Sequence, residues 1–219
     1  MTVVTIARQL GARGEAVANR LAAALGWRLL DRALVERIAR DLEVAPEQVE
    51  ATTERVERFV ERLGMYLSES FPEALPGAGV PRALSPEATA RAARRIVAEA
   101  AAEEPAVIVG HGAQCILRGS PATLHVLLHS PFAARLARVR EHFGLDERAA
   151  AERVRRSDAD RRAYVREHFG DEWLDPALYH LSIDTHRFGV EGAAELIWEA
   201  ANRLFSHRDT ETQRGDGSR

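Results

Sequence analysis

Five short apolar runs alternate with helix-like patterns along the chain, and this alternation is what most limits the folds open to it. Alternating strands and helices are typical of a parallel α/β sheet with helices packed on both faces. The runs are almost continuously apolar, as expected for strands that are buried on both sides. The predicted strands are residues 3–7, 27–30, 106–110, 124–129 and 181–185, and the predicted helices are residues 15–25, 32–42, 46–69, 86–103, 131–143, 146–168 and 190–205.

A glycine turn, Gly11-Ala12-Arg13-Gly14, joins the first predicted strand to the first predicted helix. This layout aims backbone N–H groups and a helix N-terminus at an anion, although an ordinary strand-to-helix turn has the same pattern. A Walker A phosphate loop ends in a lysine followed by Ser or Thr. Here Gly14-Glu15-Ala16 occupies that stretch, and all 30 basic residues of the chain are arginines. Arg13 is therefore a candidate for the missing positive charge.

Two further predicted strands end in residues that suit a ligand site, because ligands of such sheets bind at the carboxyl ends of the strands. The second strand runs into Asp31 and Arg32, a carboxylate beside a guanidinium, although Asp31 also fits as a helix N-cap. The third ends in Gly110-His111-Gly112, which leaves room for a ligand and presents an imidazole. A structural role for His111 is equally compatible with the pattern.

A dense mixture of arginine and aspartate occupies residues 153–164. On a helix, Asp158 and Arg161 are neighbours at i,i+3. Such a pattern is most often a solvated helix face. It also suits a closing lid that neutralises a transferring phosphoryl group with several guanidinium groups.

The composition limits the function classes. The formal net charge of −3 gives no overall basic field for nucleic acid. The single cysteine, Cys115, excludes a disulfide framework within the chain, so we expect a reduced, cytoplasmic setting. No apolar run reaches the roughly 18 residues that span a bilayer. The first residues lack the charged region followed by an apolar core that is typical of a signal peptide. We therefore expect neither nucleic acid nor a membrane among the partners.

Taken in order, these motifs resemble those of the cytidylate kinase-like family of P-loop proteins, over residues 3–204. The resemblance lies in residues 6–14, in Leu30-Asp31-Arg32, in residues 107–113, in Asp158, Arg161 and Tyr164 as an Asp-x-x-Arg-x-x-Tyr helix, and in residues 179–185. It implies a P-loop NTPase-type, doubly wound, parallel five-stranded sheet with helices on both faces. It also implies one domain over residues 1–205, with a helical monophosphate-binding insert at about 44–86 and an Arg-rich lid at about 146–170. We expect residues 206–219 to form a disordered polar tail.

The resemblance also implies roles for individual residues, with ATP and Mg²⁺ as the cofactors and no metal-ligating side chain assigned. Donor phosphates and nucleotide would lie against Arg8, Gly11, Ala12, Arg13, Gly14, Glu15, Ala16, Val17, Arg135, Asp184 and Thr185. The acceptor would lie against Asp31, Arg32, Gly110, His111 and Gly112. The catalytic group would comprise Arg13, Arg153, Arg156 and Arg161, with Asp158 orienting Arg161.

Departures from the family pattern leave three functions open. His111 stands where the family usually has Arg, and Ala16 replaces the hydroxyl that would hold Mg²⁺. The leading hypothesis is a phosphotransferase that moves the ATP γ-phosphoryl group to CMP, dCMP or a related acceptor. The second is a nucleotide-binding regulatory protein without catalysis. The third is a protein-interaction domain with a vestigial nucleotide site, whose partner surface would be the helix at residues 46–69 and the Pro-rich loop at residues 71–86. The apolar stripe of that helix also fits a face packed on the core or on a second copy of the chain in a homodimer.

Overall fold

The computed structural model describes residues 2–31 and 86–215 of the 219-residue chain. The predicted helices at 32–42 and 46–69, Arg32 and nearly all of the predicted insert lie outside these residues. The elements before the gap are β1 (Val3–Arg8), α1 (Gly14–Leu25) and β2 (Arg28–Leu30). Those after it are α2 (Pro86–Glu103), β3 (Ala106–Val109), α3 (Ala113–Ile116), β4 (Thr123–His129), α4 (Phe132–Phe143), α5 (Glu147–Phe169), a short 3₁₀ turn (Pro176–Leu178), β5 (Leu181–Asp184) and α6 (Thr185–Gly215).

The five strands form one parallel sheet in the order β2-β3-β1-β4-β5. β1 lies in the centre, where Val3 pairs with Ala106 of β3 and with Thr123 of β4. Because all strands run the same way, their carboxyl ends meet at one edge of the sheet. The predicted parallel α/β fold is confirmed, and the loop after β1 lies in the middle of that edge.

Alternating side chains of the strands pack on helices above and below the sheet. On one face, Val4 and Ile6 of β1 contact α1 and α6 through Leu21 and Ile197, all of them buried. On the other face, Ile108 of β3 packs on α2. Both faces are therefore covered, which explains why the strands are apolar at nearly every position. No helix among the described residues is long and apolar enough to cross a membrane.

The C-terminal helix departs from the sequence prediction at both ends. α6 starts at Thr185, five residues before the predicted start, and a kink at Gly189 (φ 71°, ψ −173°) interrupts it. It then continues to Gly215, whereas the sequence predicted a disordered tail from residue 206. The polar residues there lack the apolar periodicity used for the prediction. Extending an existing helix fixes one residue for each added hydrogen bond, so it needs no new nucleus and no apolar face.

Candidate functional site

The loop between β1 and α1 is shaped by two left-handed residues, Gly11 (φ 80°) and Arg13 (φ 56°). A Cβ on Gly11 would lie 2.9 Å from the backbone oxygen of Arg135, so only glycine fits there. Arg13 is the N-cap of α1, but no side chain caps the helix there, and the first helical bond runs from the amide of Val17 to Arg13. The amides of residues 14–16 therefore precede the intrahelical ladder and are available to an anion.

Beside this loop lies a cavity of about 560 Å³ at the carboxyl edge of the sheet. Four arginines from separate segments line it: Arg8 from β1, Arg13 from the loop, Arg138 from α4 and Arg161 from α5. The lining also includes Gln9, Leu10, Gly11, Gly14, Glu15, Asp31, Val139, Glu141, His142 and Phe143. A small cavity with this many guanidinium groups is suited to a polyanion, because each can form a charge-assisted pair of hydrogen bonds.

Arg138 anchors the loop to α4. Its Nη1 donates to the backbone oxygen of Gly11 at 2.8 Å and to Ser130 Oγ at 3.1 Å. Partial burial and the nearby charge of Arg13 lower the pKa of Arg138 from its usual value. Arg138 was not among the site residues predicted from the sequence. The available signal was its position three residues after Arg135, which places both on neighbouring parts of one helix face.

A buried ion pair joins α4 to α5. Nη1 and Nη2 of Arg135 donate to the two carboxylate oxygens of Asp158 at 2.9 and 2.8 Å, and both side chains are almost fully buried. From the sequence, Arg135 was predicted at the nucleotide and Asp158 beside Arg161. The structure directs both terminal nitrogens of Arg135 to Asp158, and neither side chain lines the loop cavity.

The predicted lid arginines occupy different surroundings. Arg161 reaches the loop cavity, and its guanidinium also lies 5.8 Å from the ring centroid of Trp173. Arg153 is exposed and stacks on Phe143 at 3.9 Å, so it touches a lining residue without lining the cavity itself. Arg156 is half-buried and is not part of the lining. Only Arg161 of the three is therefore brought to the loop in this conformation.

The predicted acceptor residues gather around Arg8. The Arg8 Nη2 atom lies 3.8 Å from Asp31 Oδ1. A Cβ on Gly110 would lie 2.3 Å from Arg8 Nη1. His111 has a left-handed backbone (φ 54°), and burial followed by the positive charge of Arg8 lowers its pKa to about 3. Its imidazole is therefore neutral at physiological pH. Gly112 packs against Phe169, where a Cβ would lie 2.5 Å from the ring.

Asp184 and Thr185, predicted near the nucleotide, make hydrogen bonds within the protein. The Thr185 hydroxyl donates to the backbone oxygen of Ala12 at 2.8 Å and contacts that of His129 at 3.2 Å. Asp184 Oδ1 accepts from the amide of His186. Thr185 is fully buried, so its side chain fixes the loop to the start of α6. Of the other predicted loop residues, Ala12 and Val17 are buried and Ala16 is exposed.

Comparisons with known proteins give the family and the fold of this chain. Residues 3–187 match the model of the cytidylate kinase-like family. A cytidylate kinase from Aeropyrum pernix is 35% identical over 98 residues, which are 44% of this chain and 56% of that protein, so the match spans about half of the relative. Among solved structures, an uncharacterized protein from Eubacterium ventriosum has a TM-score of 0.67 at 20% identity, covering 92% of this chain and 99% of its own. A shikimate kinase from Bacteroides thetaiotaomicron has a TM-score of 0.51 at 13% identity, covering 91% and 97%. The structural matches show a shared fold.

Proposed function

This chain belongs to the cytidylate kinase-like family, and from that premise we propose that it transfers the γ-phosphoryl group of ATP to CMP, dCMP or a related phosphate acceptor. The observation that carries the proposal is the arginine-lined cavity of about 560 Å³ beside the loop after β1. Phosphoryl transfer needs positioning and charge neutralisation more than covalent chemistry from the protein. Guanidinium groups from four segments, together with the amides at the start of α1, supply both.

The strand order favours separate donor and acceptor sides. β2 and β3, with Asp31 and His111 at their ends, lie on one side of β1. β4 and β5, followed by α4 and α6, lie on the other side. A triphosphate on the central loop could therefore direct its terminal phosphate toward Asp31 and His111 and its nucleoside toward β4 and β5. This arrangement supports the acceptor and donor assignments made from the sequence.

Mg²⁺ would enter this site with the triphosphate rather than in a protein cage. The described residues contain no group of three His, Cys, Asp or Glu side chains that could hold a metal. Mg²⁺ commonly keeps several waters and binds through one or two carboxylates plus substrate phosphates. Asp31, Glu15 and Glu141 are carboxylates in the cavity lining, so the donor set fits that mode. The ion would screen the developing charge on the phosphates.

A second candidate function is nucleotide binding without catalysis. Its support is Ala16, which is exposed in the first turn of α1 where a Walker A loop carries the Mg²⁺-binding hydroxyl. A site that retains its guanidinium groups and lacks that hydroxyl could bind a nucleotide as a regulatory signal. The two functions differ in one observable, because only the enzyme releases a nucleoside diphosphate product.

Thermal unfolding with ATP, ADP, CMP, dCMP, UMP or AMP in the presence of Mg²⁺, followed by a coupled turnover assay, tests the proposal. Stabilisation by ATP and one monophosphate, with turnover, is the expected result. Stabilisation without turnover would favour the regulatory function. No stabilisation by any nucleotide would contradict both and favour a protein-interaction domain.

Arg161→Ala provides the residue-level test of the same proposal. Loss of one transition-state guanidinium should lower kcat by about 100-fold or more, with a smaller effect on ATP binding. Arg148→Ala is the matched control, because Arg148 is exposed in the first turn of the same helix and does not line the cavity. Equal kcat values for the two variants would argue against a role of Arg161 in the transfer.

A further inference from the structure

No lysine follows the loop after β1 in this chain, whereas a Walker A loop ends in one. The residue directly after Gly14 is the acidic Glu15. Glu15 is exposed in the first turn of α1. A carboxylate there suits the helix dipole, but it cannot neutralise a phosphate. The positive charge for a bound phosphate must therefore come from an arginine of the cavity lining.

Arg8 follows a path that two glycines keep clear. A Cβ on Gly14 would lie 2.6 Å from both Cβ and Cγ of Arg8, and a Cβ on Gly110 would lie 2.3 Å from Arg8 Nη1. Gly14 has no left-handed backbone that would demand glycine, so the space taken by the Arg8 stem is the reason for glycine at that position. The arginine side chain thus passes across the start of α1 and lines the loop cavity.

The guanidinium of Arg8 lies near one carboxylate but keeps hydrogen-bond donors for a ligand. Its Nη2 makes a 3.8 Å contact with Asp31 Oδ1, which is longer than a hydrogen bond. Both side chains are about a quarter exposed. A guanidinium carries five N–H donors, so this long contact brings the tip of Arg8 near Asp31 and leaves donors for a ligand. Neighbouring His111 is neutral and does not compete as a cation.

We propose that the Arg8 guanidinium is the phosphate-binding cation of the loop. Arg8, at the end of β1, has the role that a lysine at the start of α1 has in Walker-type loops. This inference rests on the proposed function and names the residue on which its donor site depends. The other cavity arginines fit the role less well. Arg13 is exposed at the N-cap, and Arg138 is bonded to Gly11 and Ser130. Arg161 enters from α5.

Binding of inorganic tripolyphosphate and of ATP to Arg8→Gln, measured by calorimetry, tests the proposal without requiring turnover. Loss of a charge-assisted contact should raise Kd by about 10- to 100-fold for both ligands. Arg8→Lys, which keeps a charge but loses the fork, should bind more tightly than Arg8→Gln. The matched control is Arg20→Gln, which removes an exposed charge from α1 outside the cavity lining and should leave Kd within about twofold.

Moving the charge provides a gain-of-function test. In the Arg8→Gln background, Glu15→Lys places a lysine directly after Gly14 and should recover most of the lost tripolyphosphate affinity. Gly14→Ala, which removes no charge, should weaken binding by displacing the Arg8 stem. Gly192→Ala, in α6 with an ordinary 3.6 Å contact to Phe188, should leave binding unchanged. Thermal unfolding of each variant verifies that it is folded.

The outcomes separate this inference from the proposed function. If the wild-type protein binds neither ATP nor tripolyphosphate, the proposed function fails, and the inference fails with it. If the wild-type protein binds both and Arg8→Gln binds them equally well, the proposed function stands and the role of Arg8 is overturned. Unchanged binding in Gly14→Ala would likewise contradict the argument that this glycine clears the path of Arg8.

Discussion

His111 carries two unusual features at the end of β3. Its backbone is left-handed (φ 54°), a conformation that few residues other than glycine adopt. Its Nδ1 atom is buried without a hydrogen-bond partner among residues 2–31 and 86–215. An unsatisfied buried nitrogen costs stability unless a ligand uses it. A neutral imidazole beside Arg8 could accept a hydrogen bond from an acceptor nucleotide without repelling the neighbouring guanidinium.

The low pKa of His111 predicts a specific pH dependence of stability. The folded protein holds this pKa at about 3, whereas the unfolded chain titrates near 6.5. Below pH 6.5 the unfolded chain therefore binds a proton that the folded chain does not, and the free energy of unfolding falls as the pH falls toward 3. His111→Asn should reduce the loss between pH 7 and pH 5 by about 2 kcal/mol, measured by urea unfolding at both values.

Asparagine is the chosen replacement because it tolerates the left-handed backbone. Some pH dependence should remain in the variant, since burial also lowers the pKa of His125 in β4, to about 4. Equal losses in wild type and His111→Asn between pH 7 and pH 5 would show that His111 is not protected from protonation in the folded state.

At the scale of elements, the pairing of Arg135 with Asp158 sets how α5 lies on α4. On α5, Arg161 follows Asp158 by about one helical turn. On α4, Arg138 follows Arg135 in the same way. On each helix, therefore, the residue of the ion pair lies about one turn before the arginine that lines the cavity. Val139 and Val154 add a small apolar cluster between the same helices. The pair therefore contributes to the register that brings Arg161 to the loop.

Removing one partner of this pair should be strongly destabilising. Asp158→Leu leaves the Arg135 charge buried and should lower the free energy of unfolding by about 3–5 kcal/mol, whereas the double variant Arg135→Met/Asp158→Leu should recover most of the loss. Urea unfolding measures both. Glu147→Ala, which breaks the exposed 3.7 Å contact of Glu147 with Arg140, is the control and should cost less than about 1 kcal/mol. If Asp158→Leu lowers the free energy of unfolding by no more than this control does, the conclusion that Arg135 and Asp158 form a buried ion pair is contradicted.

The same pair shows what could be predicted from the sequence. The strands and the loop after β1 follow from apolar runs and glycines, which are local signals. Spacing along a helix connects Asp158 to Arg161 or Arg155, but the partner seen in the structure is 23 residues away on another helix. The role of Gly14 likewise depends on the path of Arg8 through space. Partners of this kind are set by packing between elements, which local periodicity does not encode.

For the whole molecule, the strand order protects β1, in the centre of the sheet, better than β2 at one end. β1 is bonded on both sides, to β3 and to β4, whereas within residues 2–31 and 86–215 the three-residue β2 is the end strand and pairs with β3 alone. Native-state hydrogen exchange should therefore show the amides of residues 4–7 opening only in global unfolding and those of residues 28–30 opening at lower free energy. Equal opening free energies in β1 and β2 would indicate that the sheet opens as a single unit.

The central position of β1 also bears on how the protein is made. Val3 pairs with Ala106 and Thr123, so this apolar strand is synthesised more than 100 residues before either neighbour. At a translation rate of roughly 5–20 residues per second, its partners follow after about 5–25 seconds. Throughout that interval β1 has neither of its strand partners, although α1, which packs on one face of it, follows directly in the sequence. The sheet order thus leaves both edges of β1 without their strand partners for several seconds of synthesis, an interval in which an unpaired apolar strand could pair with another chain.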